Sequence, residues 1–368
     1  MSLSPVPIRV AVLGSGFFGT TLALACKDDE AFDVTSICDL DSASAADLAR
    51  RVGARALSDP AQLAAADDVD LVMIATPNHT HAGATIDLLD AGKSVFVEKP
   101  LAITGPDALA VVEAAGRSAG LLLVGHVERT MPGIKRMFQA ARSGELGTLL
   151  EGYGSRSRLI HVPQGADNWW KLDGARTGGE LLHEIHELDL LTWFLGEPVE
   201  IRTTAGAPQQ AGAHMEDSVH KTTLKFASGA VAYHELSTSA HVPDWRFRIS
   251  GTVAALEANL RTGVVSQYTD GHVSAQWGIF DSEQANASLR DSAERKQAYN
   301  AAGATSPLWM QAAVECELAE IAAAMRGDES VLVEAPATAV VAGAEAMAQV
   351  AAARQVAARA ASVALAGV

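Results

Sequence analysis

Cysteine, aromatic residues and positive charge are all scarce in this chain, and each scarcity removes a class of explanation. The cysteines are Cys26, Cys38 and Cys316, an odd number without CxxC spacing. Neither a disulfide framework nor a cysteine-based zinc site is expected, and a reducing cytoplasm is the expected compartment. Lysines and arginines number 28 against 44 acids, a formal charge of −16. That balance excludes the basic footprint a nucleic acid or an anionic membrane surface needs. No apolar run approaches the ~18 residues of a membrane span, and residues 1–7 have neither the basic nor the apolar segment of a signal peptide. Hydrophobic residues at 48% and charged ones at 20% describe a globular enzyme, and 368 residues exceed one ordinary core. Two domains are therefore expected.

Glycine is well supplied, and placed with purpose. Residues 8–13 form a compact apolar run, followed at once by Gly14-Ser15-Gly16-Phe17-Phe18-Gly19 and then by helix-compatible residues 20–26. This is G-x-G-x-x-G between a strand and a helix. Gly14 permits the tight turn, Gly16 lets the backbone approach a pyrophosphate, and Gly19 lets the helix pack on the strand. The pyrophosphate would rest on the helix N-terminus, where free N–H groups favour negative charge. A second strand, residues 34–38, ends in Asp39, 20 residues beyond Gly19, with Asp41 close behind and no Arg or Lys before Arg50. A carboxylate there suits the ribose hydroxyls and repels a 2′-phosphate, so NAD is expected rather than NADP. The competing reading of Asp39 is a cap for the helix beginning near Ser42.

A third buried strand, residues 69–75, runs into Thr76-Pro77-Asn78-His79-Thr80-His81. After a helix at 82–89, the stretch Ala91-Gly92-Lys93-Ser94-Val95-Phe96-Val97-Glu98-Lys99-Pro100 gives a fourth strand ending in a lysine, held at a bend by Pro100. In open α/β sheets ligands bind outside the carboxyl ends of strands, and three strands deliver special residues to that one rim. Alone, Lys99 could be a strand-capping lysine; the convergence favours chemistry. A helix at 108–119 and a strand at 121–125 close this unit, and residues 126–132 form a crossover.

Beyond it the pattern changes. A helix at 134–143 precedes strand-like segments at 153–160, 200–204, 218–226, 231–237 and 246–250, which predict a largely antiparallel sheet in a distinct second domain. One helix interrupts them, from Gly178-Gly179 through residues 180–195 to Gly196. It carries apolar residues at core spacing and sets His183, His186 and Asp189 three apart on one side. His-Glu-Ile-His is not H-E-x-x-H, so a metal is not expected; a histidine acting as acid or base is, against the plainer reading of structural histidines. Residues 284–302 read as a loop or exposed helix, 309–326 as a helix, and 337–366 as alanine-rich helix suited to packing.

Taken together, these motifs resemble the Gfo/Idh/MocA family of NAD(P)-dependent oxidoreductases, named for glucose–fructose oxidoreductase and inositol dehydrogenase. The likeness covers nearly the whole chain: the glycine fingerprint, a T-P-N-x-x-H loop at Thr76 to His81, A-G-K-x-V-x-x-E-K-P at Ala91 to Pro100, and a helix like G-G-x-L-x-D-x-G-x-H-x-x-D at Gly178 to Asp189. The resemblance implies a Rossmann domain with a doubly wound parallel sheet over residues 1–126. It also implies an α+β domain over 127–368 whose large, mostly antiparallel open sheet binds substrate and builds a homodimer or homotetramer. Lys99 and His186 match the catalytic lysine and histidine. Thr76, Pro77, Asn78, His81, Glu98 and Lys99 join Gly14 to Gly19 and Asp39 around the cofactor. Asn78, Arg158, Trp169, Trp170, His183, Glu184 and Asp189 are expected to face substrate, with core packing the rival reading for the tryptophans. The chain departs from the pattern at Leu182-His183-Glu184-Ile185-His186, one residue tighter and without the first aspartate, where His183 or Glu184 is the candidate replacement. The implied reaction is hydride transfer between a sugar or cyclitol secondary alcohol and nicotinamide. Its alternatives are an NAD-dependent glycosidase working by transient oxidation, and an inactive NAD-binding regulator.

Overall fold

The computed structural model describes residues 6–159, 170–206, 219–294 and 306–328. Chain order in the first half is β1 (Ile8–Leu13), α1 (Phe17–Asp28), β2 (Phe32–Cys38), α2 (Ser42–Val52), β3 (Arg55–Leu57), α3 (Ala61–Ala64), β4 (Leu71–Ile74), α4 (His81–Asp90), β5 (Ser94–Glu98), α5 (Gly105–Arg117) and β6 (Leu122–Gly125). The strands form one six-stranded parallel sheet in the order β3-β2-β1-β4-β5-β6. This is the doubly wound order of a dinucleotide-binding fold, with its switch point between β1 and β4. β4 and β6 are buried along their whole length, as strands covered by helices on both faces must be.

The second half contains α6 (Pro132–Ser143), β7 (Leu149–Leu159), α7 (Gly174–Thr177), α8 (Glu180–His183), α9 (His186–Leu195), β8 (Pro198–Ala205), β9 (Val219–Phe226), β10 (Val231–Ser237), β11 (Ser239–Gly251), β12 (Ala255–Asn259), β13 (Val264–Thr269), β14 (His272–Gly278), α10 (Glu283–Glu294) and α11 (Leu308–Met325). Eight strands make one open sheet, β14-β13-β12-β11-β7-β10-β9-β8, antiparallel except where β7 lies beside β10. The fold is thus a Rossmann unit joined to an α+β unit with a mostly antiparallel sheet. The expected strands are present with shifted ends, and β12, β13 and β14 are additional to them. The alanine-rich segment 337–366 lies outside the described residues, as do residues 295–302 of the segment expected to be loop or helix.

Two departures bear on the site. The helix expected over 180–195 is broken: α8 ends at His183, Glu184 and Ile185 form a turn, and α9 begins at His186. In addition, α11 returns to the first sheet, where Val314, Leu318 and Ile321 join a core with Val10, Val12, Leu22 and Phe96.

The seat of α9 follows from period-2 placement on β7. Gly152 and Gly154 share a face with Arg156 and Arg158. A Cβ on Gly152 would stand 2.6 Å from Leu191 Cδ2, and one on Gly154 would stand 2.7 Å from Glu187 Cβ. Glycine therefore lets the helix lie directly on the strand, and the two arginines that follow on that face meet the acids at the helix's beginning.

Candidate active site

Each glycine of Gly14 to Gly19 has a distinct job. Gly14 has φ +105, and a Cβ there would lie 2.6 Å from the Ala75 carbonyl oxygen. A Cβ on Gly19 would collide with the Gly14 carbonyl, while around Gly16 nothing lies within 4 Å. Gly16 stands at the N-cap of α1 and supplies no side-chain cap. That cradle fits a pyrophosphate. Ser15 lies buried at its floor, and Phe17 and Phe18 are half-buried at the start of α1. Asp39 Oδ2 accepts hydrogen bonds from the Ser15 N–H at 2.7 Å and the Ser15 hydroxyl at 2.8 Å. This fixes the carboxylate at the cradle's edge. The cap of α2 is Asp41, whose side chain accepts from the Ala43 and Ser44 N–H groups, so the capping role weighed for Asp39 belongs to its neighbour.

The loop after β4 is a brace. Thr76 and Thr80 hydroxyls are 2.7 Å apart, and Pro77 is extended. His81 is buried, its Nδ1 2.7 Å from the Pro100 carbonyl and its Nε2 2.9 Å from that of Thr76. It ties this loop to the end of β5, so both its ring nitrogens are committed to backbone. Asn78 is buried and donates to the Thr177 carbonyl at 2.9 Å, with His183 Nδ1 at 3.5 Å. It therefore links the two halves of the site.

Lys99 Nζ donates to the His183 carbonyl at 2.5 Å. The break after α8 makes this possible, because terminal helix carbonyls lack intrahelical partners and attract a cation. Burial lowers the Lys99 pKa, as do Arg156 and Arg158 nearby, while Glu184 and Glu98 raise it. Glu98 lies beneath, one oxygen without a partner among the described residues and the other 3.3 Å from the Lys99 N–H; burial pushes its carboxyl up to about 8.

His186 opens α9, half-buried, with Nδ1 shielded and lacking a hydrogen-bond partner among the described residues. Burial first and the Lys99 charge second hold both His183 and His186 well below the ordinary imidazole range. Both rings are therefore neutral at neutral pH. The Trp170 ring stands edge-on to His183, centroids 6.0 Å apart. Trp169 lies outside the described residues.

Glu184, one of the two candidates for the missing aspartate, is claimed by two guanidiniums. Arg158 Nη2 donates to it at 2.6 Å, and Arg156 Nη1 lies 3.4 Å away. These cations hold its carboxyl well below the usual range against the opposing effect of burial. Arg156 also binds Glu187 and Glu128, and stacks on Trp245, 4.5 Å from the ring centre.

Asp189 differs from expectation. Its two oxygens accept from Arg129 Nε and Nη2 at 2.6 Å each, and His126 Nε2 is 3.4 Å away, all nearly inaccessible. Its acceptors are consumed there, so it anchors α9 to the crossover and does not face substrate. Arg129, Glu128, Arg156 and Glu187 are site-shaping residues that motif reading did not place. The alternation Arg156-Ser157-Arg158 on a strand was the available signal.

Residues 8–126 match the family model described as oxidoreductase family, NAD-binding Rossmann fold, and residues 134–257 match the GFO/IDH/MocA C-terminal domain. The chain belongs to the Gfo/Idh/MocA family. It is an NAD-binding oxidoreductase. Inositol 2-dehydrogenase 2 of Paenarthrobacter aurescens is 33% identical over 64% of this chain and 70% of its own length. The 2,7-anhydro-N-acetylneuraminate hydratase of Escherichia coli is 27% identical over 84% of each chain. The solved structure of GenD2 from gentamicin A biosynthesis, in complex with NAD, superposes with TM-score 0.72 at 25% identity, covering 97% of this chain and 96% of that one. Among the described residues of this Gfo/Idh/MocA member, no group of His, Cys, Asp and Glu is arranged to hold a metal, and no helix is long and apolar enough to cross a membrane.

Proposed function

We propose that this enzyme moves a hydride between a secondary alcohol carbon of a sugar or cyclitol and NAD, with His186 and Lys99 handling the alcohol oxygen. The observation carrying this reading is a neutral imidazole, its buried Nδ1 unpartnered among the described residues, one turn from a carbonyl that anchors the Lys99 ammonium. Bound nicotinamide supplies the hydride acceptor. Loss of hydride from carbon requires loss of the hydroxyl proton, and His186 accepts it. Lys99 gives one N–H to the His183 carbonyl and has two left; these stabilise the charge developing on the substrate oxygen. Asn78 positions His183 and the cofactor-side loop, and Trp170 walls the substrate. Residues 1–126 serve the cofactor, and residues 127–368 the substrate and assembly. The enzyme acts in the cytoplasm. The exposed face of the large sheet, with Tyr153, Tyr233, Lys221 and Glu235, builds the homodimer or homotetramer.

A second reading is supported by the relative named as a hydratase. Transient oxidation, elimination or addition at the adjacent carbons, and re-reduction would leave no net NADH. Initial rates of NAD⁺ reduction over inositols, free sugars and glycosides, with product analysis alongside, separate the two. Lys99→Met is expected to lower kcat roughly 10²–10³-fold, as removal of an oxyanion donor does. Turnover within threefold of wild type would sink the proposed role.

A further inference from the structure

We infer that His183 meets the substrate only as a hydrogen-bond donor: Asn78 fixes its ring so that Nε2–H is offered to a substrate oxygen beside the reacting one. This deepens the hydride-transfer reading above and rests on it.

The orientation of the Asn78 amide is decided by its partner. Asn78 is buried, and the Thr177 carbonyl lies 2.9 Å from one end of the amide. A carbonyl only accepts, so that end is the nitrogen; turned over, two oxygens would face each other away from water. The amide nitrogen carries two hydrogens, and the second group in its reach is His183 Nδ1, at 3.5 Å. An amide nitrogen donates and does not accept, so Nδ1 is the acceptor.

A neutral imidazole has one N–H and one ring lone pair. His183 is neutral, because burial and the Lys99 charge oppose its protonation. With the Nδ1 lone pair turned to Asn78, the hydrogen is on Nε2, at the far edge of a half-buried ring. The carbonyl of the same residue holds the Lys99 ammonium, and the Trp170 ring stands edge-on to the imidazole. The donor is therefore carried by the residue that anchors the lysine. Asn78 belongs to the loop after β4 and His183 to the end of α8, 105 residues further on, so one half of the chain sets the tautomer of a side chain in the other.

The two histidines are thereby given different tasks. A base needs a lone pair facing the proton it takes. His183 has spent its lone pair on Asn78 and cannot take the hydroxyl proton, which leaves that step to His186. An Nε2–H can instead recognise an ether, carbonyl or hydroxyl oxygen through its lone pairs.

The rival use of His183 is purely structural, as a link between the two halves. Long-range ¹H–¹⁵N correlation spectra of the full chain, alone and with NADH, would read the tautomer directly, with His183→Gln assigning the signal. The expected form carries its proton on Nε2, and Asn78→Ala should let the Nδ1–H form appear. Glutamine can place an amide nitrogen where Nε2 stands, whereas asparagine reaches only the Nδ1 position. On the inositol, free sugar or glycoside that wild type oxidises fastest, His183→Asn should lower kcat/KM roughly 10- to 100-fold, the cost of a lost hydrogen bond in a closed site, and His183→Gln by about threefold or less. A proton on Nδ1, a tautomer indifferent to Asn78→Ala, or equal losses in the two variants would overturn the inference. Should a variant fail to fold, the wild-type tautomer decides by itself. If no compound is oxidised, hydride transfer fails; calorimetric titration of the same compounds into the NADH complexes of both variants then decides the donor role separately.

Discussion

Replacing Arg156 by methionine removes the one cation that three carboxyls share. Its Nε lies 3.0 and 3.1 Å from the two Glu187 oxygens, Nη2 also meets Glu128, and Nη1 reaches Glu184 at 3.4 Å. Glu187 and Glu128 have side-chain exposures of 0% and 4%, so solvent cannot replace the guanidinium. Breaking a buried pair from one side costs about 3–5 kcal/mol, a large share of the 5–15 kcal/mol that typically separates folded from unfolded chains. Methionine keeps the contact with Trp245, which makes the loss chiefly electrostatic. The pH dependence carries the sign. Burial already raises Glu187 and pushes Glu128 up to about 8 against the pull of Arg156, and without the guanidinium both rise further. A carboxyl whose folded pKa exceeds its unfolded one loses stability as pH increases. The gap between R156M and wild type should therefore widen as pH rises through about 8, where Glu128 of the wild type ionises. Urea unfolding, read as the midpoint at constant slope, measures it. The double variant R156M/E187Q, with one stranded charge removed, should recover part of the loss. A gap below about 1 kcal/mol, or one that narrows as pH rises, would refute the account of this node.

Asp39→Ala should raise the KM for NAD⁺ roughly tenfold and narrow the preference over NADP⁺, by removing the charge opposed to a 2′-phosphate; unchanged discrimination would show that Asp39 does not read the ribose. His126 and His234 are buried, with pKa lowered by burial to about 4 and about 3. Being neutral in the fold and ordinary when unfolded, they contribute stability above about pH 6.5 that is lost as pH falls toward 4. A thermal-shift series should show that loss, and His234→Gln should flatten it. Gly154→Val drives its new atoms into Glu187, 2.7 Å from the would-be Cβ, and should cost about 1–3 kcal/mol together with activity, because α9 carries His186.

The sequence alone determined the first half of this protein. Parallel strands buried on both faces read as short apolar runs, and chemistry falls at their carboxyl ends. The glycine cradle, Asp39, the Thr-Pro-Asn loop and Lys99 could therefore be placed from local pattern. The three glycines could be told apart because their constraints lie within a few residues: Gly19 faces the carbonyl of Gly14. Only the tertiary structure decided the second half of the site. The family resemblance implied that Asp189 faces substrate. Its role was set by Arg129, 60 residues away, whose fully buried guanidinium consumes both its oxygens. The helix seemed continuous because its apolar spacing never falters. It breaks at Glu184–Ile185, where Arg156 and Arg158 hold Glu184 and Lys99 takes the carbonyl of His183. Strand alternation put the two arginines on one face of β7, but which acids they would meet depended on how closely α9 could settle on Gly152 and Gly154. Charge partners are chosen by distance in space, and long-range distance is what local pattern does not encode.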